Sequence, residues 1–420
     1  MTNNITRTRK LAVAAALPLL LTLASCGKDK AADSTAAATE ASATDAPAET
    51  TAAPAAETTA AADTTATVET TATPAADTTA SAGAAPAMSA ADAAARCETN
   101  KKVGKIVYLS SFDFAAAASI IDVVEADAKG YFKDLCLDVE LKPSFSSANY
   151  ALVGSGKAQF SSAGSYTELV NFSKEGAKFT AFIDYGKTPI EGLIAKDPAL
   201  ASVADLKGKT IGVKGDIPPS IVALLNKAGL KRGTDYKEVL LDGFDPKAHL
   251  ATAIDALPVY KSNEPGQLDA AGVKYKLFDP TAEGIPGSFG LLYTSADFAA
   301  KNPTVVEDFA RAALKGMEDA VADPAGAVKS SVAKINAAGN QNFLTEAGET
   351  FRWTQELAEV VKGLGGKPIG VIDSTVFDNE IASYTEAGVI KVPDPKAYDA
   401  KIAAGLYGAD GKVTFTKLAP

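Results

Sequence analysis

At 420 residues the chain is longer than one hydrophobic core usually organises, so more than one folding unit is expected. Its 41 basic and 51 acidic residues leave a net charge of −10 with no basic run, which argues against nucleic-acid binding. A single histidine, His249, weighs against most metal-site and triad chemistries, and no catalytic residue, metal ligand or cofactor is assigned.

The N-terminus reads as an export signal. Arg7, Arg9 and Lys10 precede an apolar stretch from Leu11 to Leu23, too short to span a bilayer. Leu23-Ala24-Ser25-Cys26-Gly27 follows, and small residues before a cysteine at this place resemble the lipobox of bacterial lipoproteins. The resemblance implies cleavage of residues 1–25 and lipidation of Cys26. The mature protein is then anchored to the membrane and does not span it. Residues 31–95 contain nine acidic residues, no basic residue and no aromatic one, with Val68 and Met88 as the only larger apolar side chains. Such a composition cannot offset its ordering entropy, so 26–99 is expected to be the lipidated cysteine and a disordered tether.

Beyond Arg96, short apolar blocks alternate with amphipathic stretches. Strands are expected at 105–110, 136–143, 159–164 and 179–185. Helices are expected over Ala115 to Lys129, Tyr150 to Gly156, and Tyr166 to Glu175. IEGLIAKD, KTIGVKG, YKEVLLD and KYKLFD continue the pattern as strands, with a helix at 218–229. From Ala296 to Glu386 the chain turns mostly helical, broken at Pro303 and Pro324. Alternation at this spacing predicts an α/β fold with parallel-rich sheets.

Cys97 and Cys136 form an even pair for an oxidising compartment, and neighbouring parallel strands would bring them together as a disulfide. Two separate buried thiols are the alternative. Gly154-Ser155-Gly156-Lys157 fails as a phosphate loop because residues 151 and 158 are alanine. His249 reads as a packing or helix-surface residue.

Four segments carry a family resemblance: Ala128–Phe132 with Leu137–Glu140 (AKGYF…LDVE), Ala204–Val213 (ADLKGKTIGV), Asp255-Ala256 with Tyr260 and Asn263-Glu264-Pro265, and Phe298–Pro303. Together they resemble the substrate-binding proteins of ABC importers, in the group of thiamine-pyrimidine-precursor, sulfonate and nitrate binders. The resemblance implies a two-lobed periplasmic-binding-protein-like fold of type II, with the chain crossing between lobes near 185–188 and again near Ser295. Lobe I is then 100–187 plus 296–420, and lobe II is 188–295. It also implies a monomeric, non-enzymatic binding protein outside the cell membrane, with a small-molecule ligand, an ABC permease and an ATPase as partners. The alternatives are a sensory lipoprotein that feeds no importer, an anion binder, and a pyrimidine-precursor synthase-like enzyme.

In open parallel sheets ligands sit at the carboxyl ends of strands. That rule selects Phe112, Asp113, Phe114, Ser165, Tyr166, Asp184, Tyr185, Asp216, Tyr260, Asn263 and Glu264, with Ser146, Ser147 and Lys214 in the same turns. Aromatic faces combined with carboxylates suit a nitrogen heterocycle or amine such as an aminopyrimidine. A sulfonate or nitrate would want arginine, and none lies between Arg96 and Arg232.

Overall fold

A computed structural model describes residues 88–173, 177–390 and 396–418; the signal segment, Cys26 and the tether up to residue 87 lie outside these. The described part opens earlier than the tether boundary at 99 allows. Helix α1 (Ala90–Lys102) starts at Ser89, whose hydroxyl accepts the Asp92 N–H at 3.1 Å. Alanine favours helix, and three side chains fasten this one to the body. Arg96 grips the buried Asp308 carboxylate at 2.7 and 2.8 Å, Asn100 donates to the Leu135 carbonyl, and Cys97 is bonded to Cys136.

Strand β1 (Lys105–Leu109) leads through α2 (Ile121–Ala128) and the short α3 (Tyr131–Asp134) to β2 (Asp138–Lys142), which runs parallel to β1 with Lys105 opposite Asp138. This pairing brings the two cysteines to a Cα separation of 5.2 Å. The helix expected from Ala115 begins six residues later. Residues 115–120 instead form turns, with Ser119 at φ 69°, and the Ala116 and Ala118 N–H groups point at glutamates from a distant helix. The chain continues through α4 (Ser146–Gly154), β3 (Phe160–Ala163), α5 (Tyr166–Ser173) and β4 (Phe179–Gly186).

A second sheet follows: β5 (Glu191–Ala195), β6 (Thr210–Val213), α6 (Pro219–Lys227), β7 (Lys237–Leu240), α7 (Pro246–Ala251), β8 (Ala256–Tyr260), α8 (Glu264–Ala270) and β9 (Lys276–Phe278). Its order is β7-β6-β8-β5-β9, with β6 parallel to β7 and β8, and β5 antiparallel to β8 and β9.

The return to the first sheet comes earlier than Ser295. Strand β10 (Phe289–Ser295) is antiparallel to both β3 and β4, giving the order β2-β1-β3-β10-β4, so the second crossing is the segment 279–288. The apolar run FGLLYTS would suit a buried strand in either sheet, so its local pattern could not assign it. The rest is helical: α9 (Ala296–Lys301), α10 (Pro303–Ala322), α11 (Pro324–Ala337), α12 (Glu346–Lys362), α13 (Ser374–Glu386) and α14 (Ala400–Ala404). Helix α10 fills the core below the first sheet, where Phe309 stacks on Phe160 at 3.9 Å and on Phe132 at 5.1 Å. Its Gly316 passes so close to α2 that a Cβ there would lie 2.1 Å from the Asp122 carbonyl oxygen. Among the described residues no helix is long and apolar enough to cross a membrane.

Candidate functional site

The carboxyl ends of β1, β3, β6 and β8 open onto one cleft of about 340 Å³ between the two sheets. Phe112, Phe145 and Phe289 come from the first sheet's side, Phe244 and Tyr260 from the second, and Arg352 and Glu356 from α12. Phe112 meets Phe145 edge-on at 5.7 Å. Phe145, Phe244 and Tyr260 are 45%, 61% and 45% exposed, so three of the few large apolar side chains left open to solvent surround the same opening. Gly290, at φ +69°, lets the backbone beneath approach Ala118; a Cβ would sit 2.8 Å from the alanine Cβ.

The two cations of this cleft are paired within the protein. Glu264, buried at the start of α8, pairs with Lys214 and accepts the Tyr260 N–H at 2.9 Å. Arg352 lies 3.2 Å from the buried Glu349 carboxylate and donates to Asn263 Oδ1 at 2.8 Å. Its guanidinium carbon also stands 5.6 Å from the centre of the Phe112 ring. Glu356 accepts the Ala118 N–H at 2.7 Å and the Ser262 hydroxyl at 2.9 Å. Burial pushes its carboxyl up to about 7, against the pull of these donors and of Arg352.

Tyr260 also borders a second groove, of about 810 Å³, lined by Glu168, Glu191, Asp216 and Phe172, among others. Glu168 accepts the Gly164 N–H at 2.9 Å and Glu191 the Ser220 hydroxyl at 3.0 Å, and burial raises both carboxyls above the ordinary range. Asp216 is ion-paired with Arg232 at 2.6 Å, which holds its carboxyl below that range.

Of the residues selected from sequence, Phe112, Tyr260, Asn263 and Glu264 meet in the cleft, and Ser165 and Asp216 line the groove. The structure places the other five elsewhere. Asp113 folds onto its own turn, accepting the Phe114 N–H and an Asn342 side-chain N–H. Phe114 packs with Ile120, Val124 and Ile335. Tyr166 stacks on Phe377 at 4.0 Å. Asp184 pairs with Lys187 at 2.6 Å, and burial raises its carboxyl to about 6. The Tyr185 hydroxyl donates to Asp122 at 2.7 Å. The strand-end rule selects positions along the chain, and the direction of each side chain follows from packing. The sequence reading missed Phe145, Phe244, Phe289, Arg352 and Glu356. The spacing Glu349–Arg352–Glu356, one face of a helix, was the available signal for α12. His249 is buried, with Nε2 at 2.9 Å from the Asp242 carbonyl oxygen.

Two α/β sheets joined by two crossings, with a cleft at their strand ends, define the fold of periplasmic binding proteins. Solved structures share it. One is a protein of Bordetella bronchiseptica RB50 (22% identity, TM-score 0.53, covering 72% of this chain and 96% of that one). A second is a putative periplasmic sulfonate-binding protein SsuA of Methylobacillus flagellatus KT (17%, 0.51, 71% and 93%). A third is the periplasmic nitrate-binding protein NrtA of Synechocystis PCC 6803 (12%, 0.51, 72% and 87%). A family model described as NMT1/THI5 like matches residues 117–327, and the chain belongs to that family. The riboflavin-binding protein RibY of Chloroflexus aurantiacus is 34% identical over 149 residues, a stretch covering 33% of this chain and 40% of the relative's length. The Methylobacillus and Synechocystis neighbours are named as sulfonate- and nitrate-binding proteins, and the chain shares their fold.

Proposed function

We propose that this protein is the solute-binding component of an ABC importer, held at the outer face of the cell membrane by lipid on Cys26. Its solute is a flat heterocycle without net negative charge. One observation carries the ligand class: the cleft offers open aromatic faces, while both of its cations already have carboxylate partners, Lys214 with Glu264 and Arg352 with Glu349. A sulfonate or nitrate would need an uncommitted cation to replace its lost hydration. A ring needs only faces to stack on.

The groove past Tyr260 adds carboxylates held by an N–H and a hydroxyl rather than by cations. These suit a substituent rich in donors, such as an amine or a chain of hydroxyls. An aminopyrimidine fits this description, and so does riboflavin, the ligand in the name of the RibY relative. A solute touching both sheets favours the arrangement in which they approach, which is the form a permease would recognise.

A calorimetric titration with an aminopyrimidine, riboflavin, taurine and nitrate tests the reading. Saturable binding of a ring compound, weakened at least tenfold in Phe112→Ala, supports it. Binding of taurine or nitrate in preference to every ring compound overturns it.

A further inference from the structure

Helix α12 lies outside the segment matched by the family model, yet it contributes the polar contacts that join the two walls of the cleft. Glu356 is the centre of this arrangement. One oxygen holds the Ala118 N–H, in the turn that follows β1; the other holds the Ser262 hydroxyl, in the turn that follows β8. One turn earlier, Arg352 stands over the Phe112 ring and donates to Asn263, again touching a residue from each wall. Glu349, a turn earlier still, accepts the Ala116 N–H at 2.6 Å and steadies Arg352. Its contacts stay on the first wall. Close packing accompanies these bonds, because a Cβ on Gly266 of α8 would fall 2.6 Å from the Phe351 ring of α12.

We propose that α12 is a clasp, with Arg352 and Glu356 acting as positioning residues that set the separation of the two cleft walls by holding the 112–118 turn against Ser262-Asn263. A buried carboxylate that accepts from both sides has a definite energetic role: separating the walls strands at least one of its donors or leaves it under-satisfied. The consequence for solute release rests on the binding reading above; the clasp itself does not.

The test is therefore made without a solute. Spin labels on non-canonical residues at the exposed positions Lys157 and Lys247, one on each side, leave the disulfide intact and report the distance between the halves of the full chain. Glu356→Ala and Arg352→Ala are expected to broaden the distance distribution and shift it to longer values. Glu349→Gln, which keeps an acceptor for the Ala116 N–H and weakens only the support of Arg352, is expected to shift the distribution less than Arg352→Ala does. Ser262→Ala removes a single hydroxyl from the opposite wall and decides the matter should Glu356→Ala fail to fold. In the double variant Glu356→Ala/Ser262→Ala the shift should fall short of the sum of the two single variants' shifts. Distributions for folded Ser262→Ala and Arg352→Ala that superimpose on the parent overturn the clasp. Failure of every ring compound to bind would overturn the ligand reading and leave these distances unaffected.

Discussion

Replacing Glu264 with alanine perturbs stability and binding by separable amounts. The side chain is about 2% exposed and serves two donors, Lys214 and the Tyr260 N–H. Removing one partner of a fully buried pair costs roughly 3–5 kcal/mol. Here Lys214 keeps 25% exposure and can turn towards water, which brings that loss down to about 1–2 kcal/mol. The Tyr260 N–H, left unsatisfied in a partly open turn, adds about 1 kcal/mol. A total of about 2–3 kcal/mol lowers the melting temperature of a body this size by roughly 5 °C. Glu264→Gln keeps one acceptor oxygen, enough for the Tyr260 N–H, but turns an amide N–H2 towards Lys214, so it should lose less than the alanine variant while still falling below the parent. Calorimetric melting of parent, Glu264→Ala and Glu264→Gln reads these shifts. Repeating the melts with a saturating ring compound should show the ligand-dependent stabilisation strongly reduced in the alanine variant. A Glu264→Ala protein that melts with the parent and keeps its full ligand shift refutes the assignment of this carboxylate to both the fold and the site.

Other expectations follow from the same structure. Reducing Cys97–Cys136, separated by 39 residues, should expose two thiols and cost about 4 kcal/mol in the chain-entropy view, read as a lower urea midpoint. Burial raises Asp122, Glu356 and Glu380 to about 7. Between the ordinary carboxyl range and pH 7 the folded state therefore holds protons that the unfolded chain has released, so stability should fall as pH rises through that window. A urea midpoint higher at pH 8 than at pH 5.5 would contradict this. Gly316→Ala forces a Cβ into the Asp122 carbonyl and should destabilise by about 3 kcal/mol, measured by the same titration.

Much of the architecture is legible in the linear pattern. Apolar blocks at strand length, separated by amphipathic stretches and Gly/Pro turns, mark β1 to β7, β9 and the α10–α11 pair broken at Pro324. Tyr260, Asn263 and Glu264 are recognisable because strand, turn and helix start follow one another within a few residues. Asp184 and Tyr185 show the limit of that reasoning. They lie at the end of a strand as the rule asks, but the strand is buried on both faces, and their side chains go to Lys187 and Asp122.

By itself the sequence determined what local forces decide: the alternation of strands and helices, the paired cysteines, and the loop positions where a ligand could be met. Tertiary structure alone decided which sheet receives β10, why α2 begins only at Ile121, and that Arg352 and Glu356 reach a cleft whose other lining residues lie between Ser111 and Gly290. The physical reason is range. Helix and strand periodicity arise from neighbours a few residues apart, whereas a buried carboxylate such as Glu356 is placed by donors distant in sequence, which only the folded chain brings within hydrogen-bond reach.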